Sequence, residues 1–496
     1  MTTKAQVTRG LKWQAVNILG RQLLAFLTFT VLARLLEPAA FGLVALAGVY
    51  LFFVALFAEQ GVSNAIVVHR DLCKAHLDSV YWFGLSCAVL GCVATIVCAP
   101  TVATLMEQPQ LAPLLRWSSI GLVVTSLASV QNALLQRELN FRAVAIRVLV
   151  ANTVGGVFAV ALAFAGFGVW SLVVQQLASS LASTVYLCTA SNYRPGLSLS
   201  LPHLRELLRL SSSLAASSVL WFLSTRLDQL IIGRVFGAPT LGLYVVGGRI
   251  PELARTLTHQ VIAEVSLPAL SRLQHDPDRV RSAVYLGMQL NAPVAFAVCV
   301  GLAVVANDLV RLLFGDAWSA SGPICQLLAI YALVNTLQVF FHPALLASGG
   351  AGKYVYLNVL HLGGVLLACA AGAVYGIYFL AASLIVNGLV VALPALLFLR
   401  HRLGLSPWRY CRPCLEPLVG SLVMVSTVWM SEPLLVHLPL ILRVLSKTAV
   451  GAGVYVGFML IFQRDVSRLL FEIARSALVG DVQRLRVQTA QGADRG

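Results

Sequence analysis

Apolar runs long enough to cross a bilayer, about 20 residues each, recur from one end of the chain to the other and are separated by short polar segments. The pattern predicts fourteen helices near residues 13–36, 41–65, 79–105, 111–135, 143–165, 168–190, 210–235, 241–265, 283–305, 322–346, 354–373, 376–399, 415–431 and 440–462. No intervening segment is long enough for an independent domain. The longest polar stretches follow residues 190, 265 and 462.

The eighth helix is the least apolar, because it carries Arg249, Glu252, Arg255 and His259. Charge asymmetry supports counting it. With a cytoplasmic N-terminus and fourteen alternating spans, most of the 35 lysines and arginines fall on the cytoplasmic side, among them Arg70, Lys74, Arg137, Arg142, Arg147, Arg194, Lys353 and Arg400. The outer side receives Arg34, Arg116, Arg234, Arg311, Arg443 and Lys447. Omitting the eighth span reverses every later loop and removes the bias.

Composition agrees with a lipid solvent. The 496-residue chain is 58% hydrophobic and 11% charged, against about 25% charged in a soluble domain. Its formal net charge of +15 sits in short segments between apolar runs, so it reads as orientation in the membrane rather than as a nucleic-acid surface. Lys4, Arg9 and Lys12 precede an apolar run too long for a signal peptide, so that run is read as a retained first span. The ten cysteines lie mostly inside apolar stretches and form no disulfide framework. Cys411 and Cys414 make a CxxC without a second pair, read as two ordinary thiols; no metal site and no cofactor is expected.

An internal repeat is visible. Ala33 to Gly48 aligns without gaps with Gly233 to Gly248, pairing Arg34 with Arg234, Gly42 with Gly242, Leu43 with Leu243 and Gly48 with Gly248. Both segments are outward-facing corners, between spans one and two and between spans seven and eight. This predicts an all-α polytopic membrane protein with two six-helix lobes in parallel repeat around a central cavity, plus two C-terminal helices. The expected boundaries are 1–190 and 210–400 for the lobes, 191–209 for a cytoplasmic linker, 401–462 for the added helices and 463–496 for a cytoplasmic basic tail.

Charged side chains within spans are costly, about 2.5–3.5 kcal/mol each at the bilayer centre on insertion scales. They occur at Arg21, Glu59, Arg226, Asp228, and along span eight at Arg249, Glu252, Arg255, His259 and Glu264. Arg249, Glu252, Arg255 and His259 fall within about 120° on one helix face. Glu252 can pair with either arginine at i,i+3, and Pro251 among them is expected to kink or open the helix as a hinge. These spans are the first two of each repeat. We therefore expect Arg21, Arg226, Arg249 and Arg255 to line a cationic substrate cavity, since arginine binds phosphate in fork geometry. Glu59, Asp228, Glu252 and His259 serve as supporting ion pairs or coupling groups. For Asp228 and Arg226 a structural ion-pair role stays open, and Glu59 reads equally as an interfacial carboxylate.

Two smaller features complete the inventory. Val466 to Val479 reads either as a basic amphipathic helix on the inner leaflet or as a short extension. Gly453 and Gly457 form a GxxxG expected to pack closely within the chain rather than to dimerise.

The segments ARLLEPAAFGLVAL (33–46), ALLQRELNFRAVA (133–145), GFGVWSLVVQQL (166–177) and RLDQLIIGRVFGAPTLGLYVVGGRI (226–250) resemble the polysaccharide transporter family, the Wzx-type flippases of the larger group that includes MATE multidrug exporters and the lipid II flippase. The resemblance fades after about residue 400. It implies a non-enzymatic flippase that moves undecaprenyl-diphosphate-linked oligosaccharide from the inner to the outer leaflet of the bacterial cytoplasmic (inner) membrane, for O-antigen, capsule or exopolysaccharide assembly. Both termini would be cytoplasmic. Partners would be the lipid-linked oligosaccharide, membrane lipid, and polysaccharide polymerase and assembly proteins. It also implies that Arg21, Arg249 and Arg255 receive the diphosphate. The alternatives are a small-molecule or drug exporter of the same group, disfavoured by the arginine bias, and a membrane glycan polymerase or ligase, disfavoured by the short outer loops.

Overall fold

The protein is described by a computed structural model over residues 20–59, 66, 72–138, 140–198, 200–272, 276–464 and 466. Among the described residues every regular element is helical. Helix α1 covers residues 20–35. It is followed by α2 (Pro38–Glu59), α3 (Lys74–Leu105), α4 (Leu111–Ser126), α5 (Ser129–Arg137), α6 (Phe141–Phe164), α7 (Trp170–Ala190), α8 (Leu201–Val235) and α9 (Gly237–Arg272). Then come α10 (Pro277–Phe314), α11 (Ser321–Leu337), α12 (Phe341–Ala347), α13 (Ala351–Tyr375), α14 (Ile377–Leu403), α15 (Pro407–Cys411), α16 (Leu415–Leu435) and α17 (Leu440–Phe462).

Among the described residues, helix occurs at each of the fourteen positions read from the sequence; residues 13–19 and 60–65 of the first two lie outside the description. Among the described residues, ten helices suffice by length and apolarity alone to cross a membrane, or eleven if the bent pair α4–α5 is one span. The helices outside that count include α1, α8 and α9, which carry Arg21, Arg226, Asp228, Arg249, Glu252 and Arg255. Large apolar side chains face outward, with Trp429 and Leu434 exposed at 78% and 79%. A surface of this kind requires lipid around it.

By compactness the chain divides into two units: Met1–Val246 with Phe314–Trp318, and Gly247–Leu313 with Ser319–Gly496. Within the first, α2 packs on α8 through Phe52 and Phe53 against Phe222. The predicted repeat is physical here. The two corners match in position, α1 and α8 ending at residues 35 and 235 and the next helices starting at 38 and 237. They also pack on each other reciprocally. A Cβ on Gly42 would meet the Ala238 carbonyl oxygen at 1.8 Å, and a Cβ on Gly242 would meet that of Pro38 at 1.9 Å. Only glycine permits this approach. Trp318, fully buried, caps the same corner by donating from Nε1 to the Ala33 carbonyl at 2.7 Å.

The repeat extends further than the sequence reading took it. The fourth span is broken between α4 and α5 by a 44° bend. The tenth is interrupted between α11 and α12 at residues 338–340. Across these breaks Leu122, Val123, Thr125, Ala133, Leu134 and Leu135 recur at constant spacing as Leu333, Val334, Thr336, Ala344, Leu345 and Leu346. In each half the equivalent threonine donates to the carbonyl four residues back, at 2.9 Å from Thr125 to Gly121 and 2.8 Å from Thr336 to Ala332. Backbone carbonyls beside the breaks find side-chain donors. Val124 O accepts from Thr184, Thr336 O from Asn291 and Leu337 O from Tyr410. That meets the need of a membrane-buried backbone for internal partners.

The segment after α7 is tied to the start of α3. Asp78, 1% exposed, accepts from the Tyr193 hydroxyl at 2.7 Å, the Gly196 amide at 3.0 Å and the Ser198 hydroxyl at 2.8 Å. Ser79 accepts from the Ser200 amide, and Trp82 donates to the Gly196 carbonyl. Burial and the adjacent Asp78 carboxylate push the Tyr193 phenol well above its usual range, so it stays a donor.

Within the second unit, α13–α14 and α16–α17 are helical hairpins, and α10 contributes Ala295, Phe296 and Cys299 to a core with Met424, Tyr455 and Met459. Three sequence expectations are corrected here. Arg443 and Lys447, assigned above to an outer segment, lie inside α17. Lys447 is 5% exposed and pairs with Asp308 of α10 at 2.7 Å and Glu432 of α16 at 2.5 Å; Arg443 joins the same two carboxylates. Two positive and two negative groups together remove the cost that would have excluded each alone. Arg147, assigned to a cytoplasmic segment, lies within the apolar helix Arg142–Phe164. Gly453 and Gly457 have nothing within 4 Å of an added Cβ; the close approaches of this hairpin occur instead at Gly420, against Phe458 at 2.8 Å, and at Gly451, against Met424 at 3.4 Å. The Val466 to Val479 expectation lies outside the described residues beyond Val466.

Candidate functional site

The span-eight charges are carried by α9, which is helical without interruption from Gly237 to Arg272. Pro251 is buried within it. A proline cannot donate to the carbonyl four residues back, here that of Gly247, where the chain passes from the first compact unit to the second. Glu252 resolves the choice left open by sequence. It accepts from Arg255 in fork geometry, Nε to Oε2 at 2.8 Å and Nη2 to Oε1 at 2.7 Å. Arg249, half-buried on the same helix, lies within electrostatic reach of Glu252. Arg249, Glu252 and Arg255 are thus brought together in the second unit. The side chains of His259, Glu264 and Glu59 lie outside the described residues.

In the first unit Arg226 and Asp228 do not pair with each other, as their spacing requires. Residues at i,i+2 point apart on a helix. Arg226 is exposed, and Asp228 instead accepts from the Tyr244 hydroxyl of α9 at 2.7 Å. This bond joins the two helices of the second repeat corner.

Arg21 lies on α1, which packs parallel to α6. A Cβ on Gly20 would meet Leu149 at 3.0 Å, and one on Gly156 would meet the Thr28 hydroxyl at 2.8 Å. Within electrostatic reach of Arg21 is Arg147 of α6, which sequence reasoning missed as an internal charge. Its one available signal was its place six residues into an apolar helix. The Asp308–Lys447–Glu432–Arg443 network was missed because span ends were drawn short of Asp308 and the basic residues were counted as loop.

A helical membrane protein with repeat-related broken spans, a glycine-crossed corner between repeats and arginines inside its helices belongs to the class of polytopic membrane transporters. The family model described as "Polysaccharide biosynthesis protein" matches residues 31–323, and the chain belongs to that family. It is similar to the succinoglycan biosynthesis transport protein ExoT of Rhizobium meliloti (strain 1021), 28% identical over 473 residues covering 95% of this chain and 96% of that protein. It is also similar to the lipopolysaccharide biosynthesis protein WzxC of Escherichia coli (strain K12), 26% identical over 68% of this chain and 69% of that protein. Among solved structures, the lipid II flippase MurJ in an inward closed conformation superposes with a TM-score of 0.74 at 14% identity, covering 91% of this chain and 99% of that chain. The resemblance read from residues 33–46, 133–145, 166–177 and 226–250 is borne out.

Proposed function

We propose that this protein is a flippase that carries an oligosaccharide linked to undecaprenyl diphosphate from the inner to the outer leaflet of a bacterial cytoplasmic membrane, for exopolysaccharide, capsule or O-antigen assembly. The carrying observation is the conjunction of a polysaccharide-biosynthesis family with the fold of a lipid-linked precursor flippase. The relatives named for succinoglycan transport and lipopolysaccharide biosynthesis supply the substrate class. It is a transporter, not an enzyme.

The cations supply the chemistry. Arg21, Arg226, Arg249 and Arg255 form a cationic path for the diphosphate in a cavity between two six-helix lobes, 1–190 and 210–400, joined by the linker 191–209. Residues 401–462 add two helices and 463–496 a cytoplasmic tail. Glu252 holds Arg255 in place. Glu59, Asp228 and His259 are the coupling or supporting groups, and Pro251 is the hinge at which α9 yields. Both termini face the cytoplasm. Polysaccharide polymerase and assembly proteins receive the product.

Deletion followed by analysis of lipid-linked intermediates tests this reading. The expected result is accumulation of undecaprenyl-diphosphate-linked oligosaccharide in the inner leaflet and loss of surface polysaccharide, restored by the wild-type chain. Unchanged surface polysaccharide, with no accumulated intermediate, overturns it.

A further inference from the structure

Helix α3 ends in a turn that ordinarily belongs to glycine. The Gln108 amide donates to the Ala103 carbonyl at 2.9 Å, and the Glu107 amide to that of Thr104 at 3.1 Å. These are the paired bonds of a Schellman cap, whose residue just past the helix lies in the left-handed region. That residue is Glu107, at φ 54°. All other positive-φ positions among the described residues are glycines, including Gly315 (φ 97°) in the equivalent turn after α10 of the second repeat. A residue with a Cβ is strained in this region. Glutamate in place of glycine thus costs backbone energy, and a strained non-glycine residue points to work done by its side chain.

What that side chain reaches is the corner of the other repeat. The Glu107 carboxylate pairs with Nη2 of Arg234, in the last turn of α8, at 2.9 Å. The Gln108 side chain comes to the same place, its Nε2 lying 3.8 Å from a Cβ built on Gly237. The turn that closes the third span therefore rests on the corner between the seventh and eighth, the same corner at which Gly242 meets Pro38 and Ala238 meets Gly42. Both partners keep much of their exposure, 67% for Glu107 and 45% for Arg234. An ion pair so exposed adds little stability and breaks at little cost, less than the strain that accompanies it. A permanent strut gains nothing from this choice. A contact made in one state and released in another is served by weak, solvated partners. We propose that Glu107 and Arg234 form a latch that holds this face of the protein shut and parts when the two repeats separate there. The proposal rests on the flippase reading, in which this is the outer face, and adds to it the contact whose loss opens that face.

The test is hydrogen–deuterium exchange, read by mass spectrometry on the full-length protein in nanodiscs, with the unfolding temperature measured alongside. Glu107→Gly removes the carboxylate and relieves the turn. It should unfold at the wild-type temperature or higher, yet exchange faster at the two corners, residues 36–42 and 236–242, by about two- to fivefold, the factor a surface ion pair is worth. Arg234→Gln should give the same local acceleration. Reversing the charges in Glu107→Lys/Arg234→Glu should restore the wild-type rate, which neither single change does. Unchanged corner exchange in Glu107→Gly overturns the latch. So does faster exchange spread along the whole chain with a lower unfolding temperature, which marks a purely structural pair, or a charge-reversed variant no better than its parents. Leaflet exchange of lipid-linked oligosaccharide by the wild type, measured separately, keeps the flippase reading in each of those cases. Local acceleration as expected, in a protein that moves no such lipid, keeps the latch and overturns the flippase reading.

Discussion

Gly42 lies against the carbonyl of Ala238, and the symmetry-related Gly242 lies against the carbonyl of Pro38. Two corners that look alike in sequence are thus each other's packing partners. A side chain at either glycine collides with backbone, which cannot move aside as a rotamer can. Gly42→Ala and Gly242→Ala should each lower stability by about 1–3 kcal/mol, the usual range for overpacking, measured by thermal unfolding in detergent. Gly48→Ala is the control. Nothing lies within 4 Å of an added Cβ there, and no loss is expected.

The buried network on α10, α16 and α17 makes a prediction about how the C-terminal pair is held. Removing one partner leaves a carboxylate or ammonium in a dry site, which costs about 3–5 kcal/mol. Lys447→Met should therefore destabilise strongly. Asp308→Leu combined with Lys447→Met should recover part of the loss, because apolar groups replace a matched pair at little net cost. Additive losses in the double variant would show that the two residues act separately.

Tyr244 and Asp228 join α8 to α9. Tyr244→Phe removes the donor and keeps the ring. It should cost about 1.5–3 kcal/mol if the carboxylate is charged, the range for a hydrogen bond to an ionised group. In an Asp228→Asn background the same substitution should cost less. A double-mutant cycle on unfolding temperature measures the coupling, and identical losses in both backgrounds would exclude it.

The clamp at Asp78 governs the connection between repeat halves. Asp78→Ala deletes three hydrogen bonds to residues 193–198. The segment should become cleavable by added protease in inside-out vesicles while wild type resists. Tyr193→Phe, which removes one of the three, should give an intermediate rate.

Most of the helical layout was legible in the sequence because each span must bury its backbone in lipid and so writes a long apolar run. The corner repeat was legible because glycines at 42 and 242 are demanded by a backbone contact. Charges were harder. Arg147 and Lys447 both sit near helix ends, where one turn decides between a solvated loop residue and an internal one. Lys447 is tolerated inside only because Asp308 and Glu432 arrive from helices distant in sequence, which no local pattern records. The break at residues 338–340 escaped notice, although Pro343 stands in the first turn of α12, because the stretches on both sides are apolar and read as one run. That Arg226 and Asp228 need separate partners was legible, because residues at i,i+2 point apart; that Tyr244 is the partner of Asp228 was not.

The most direct measurement is transport in proteoliposomes holding the purified protein and a fluorescent undecaprenyl-diphosphate-linked oligosaccharide, with outer-leaflet substrate quenched by an impermeant reagent. Protein-dependent exchange between leaflets is predicted, lost in Arg249→Ala/Arg255→Ala although that variant folds and inserts normally. Exchange at the wild-type rate in the double variant, or no exchange by the wild type above protein-free vesicles, would contradict the account.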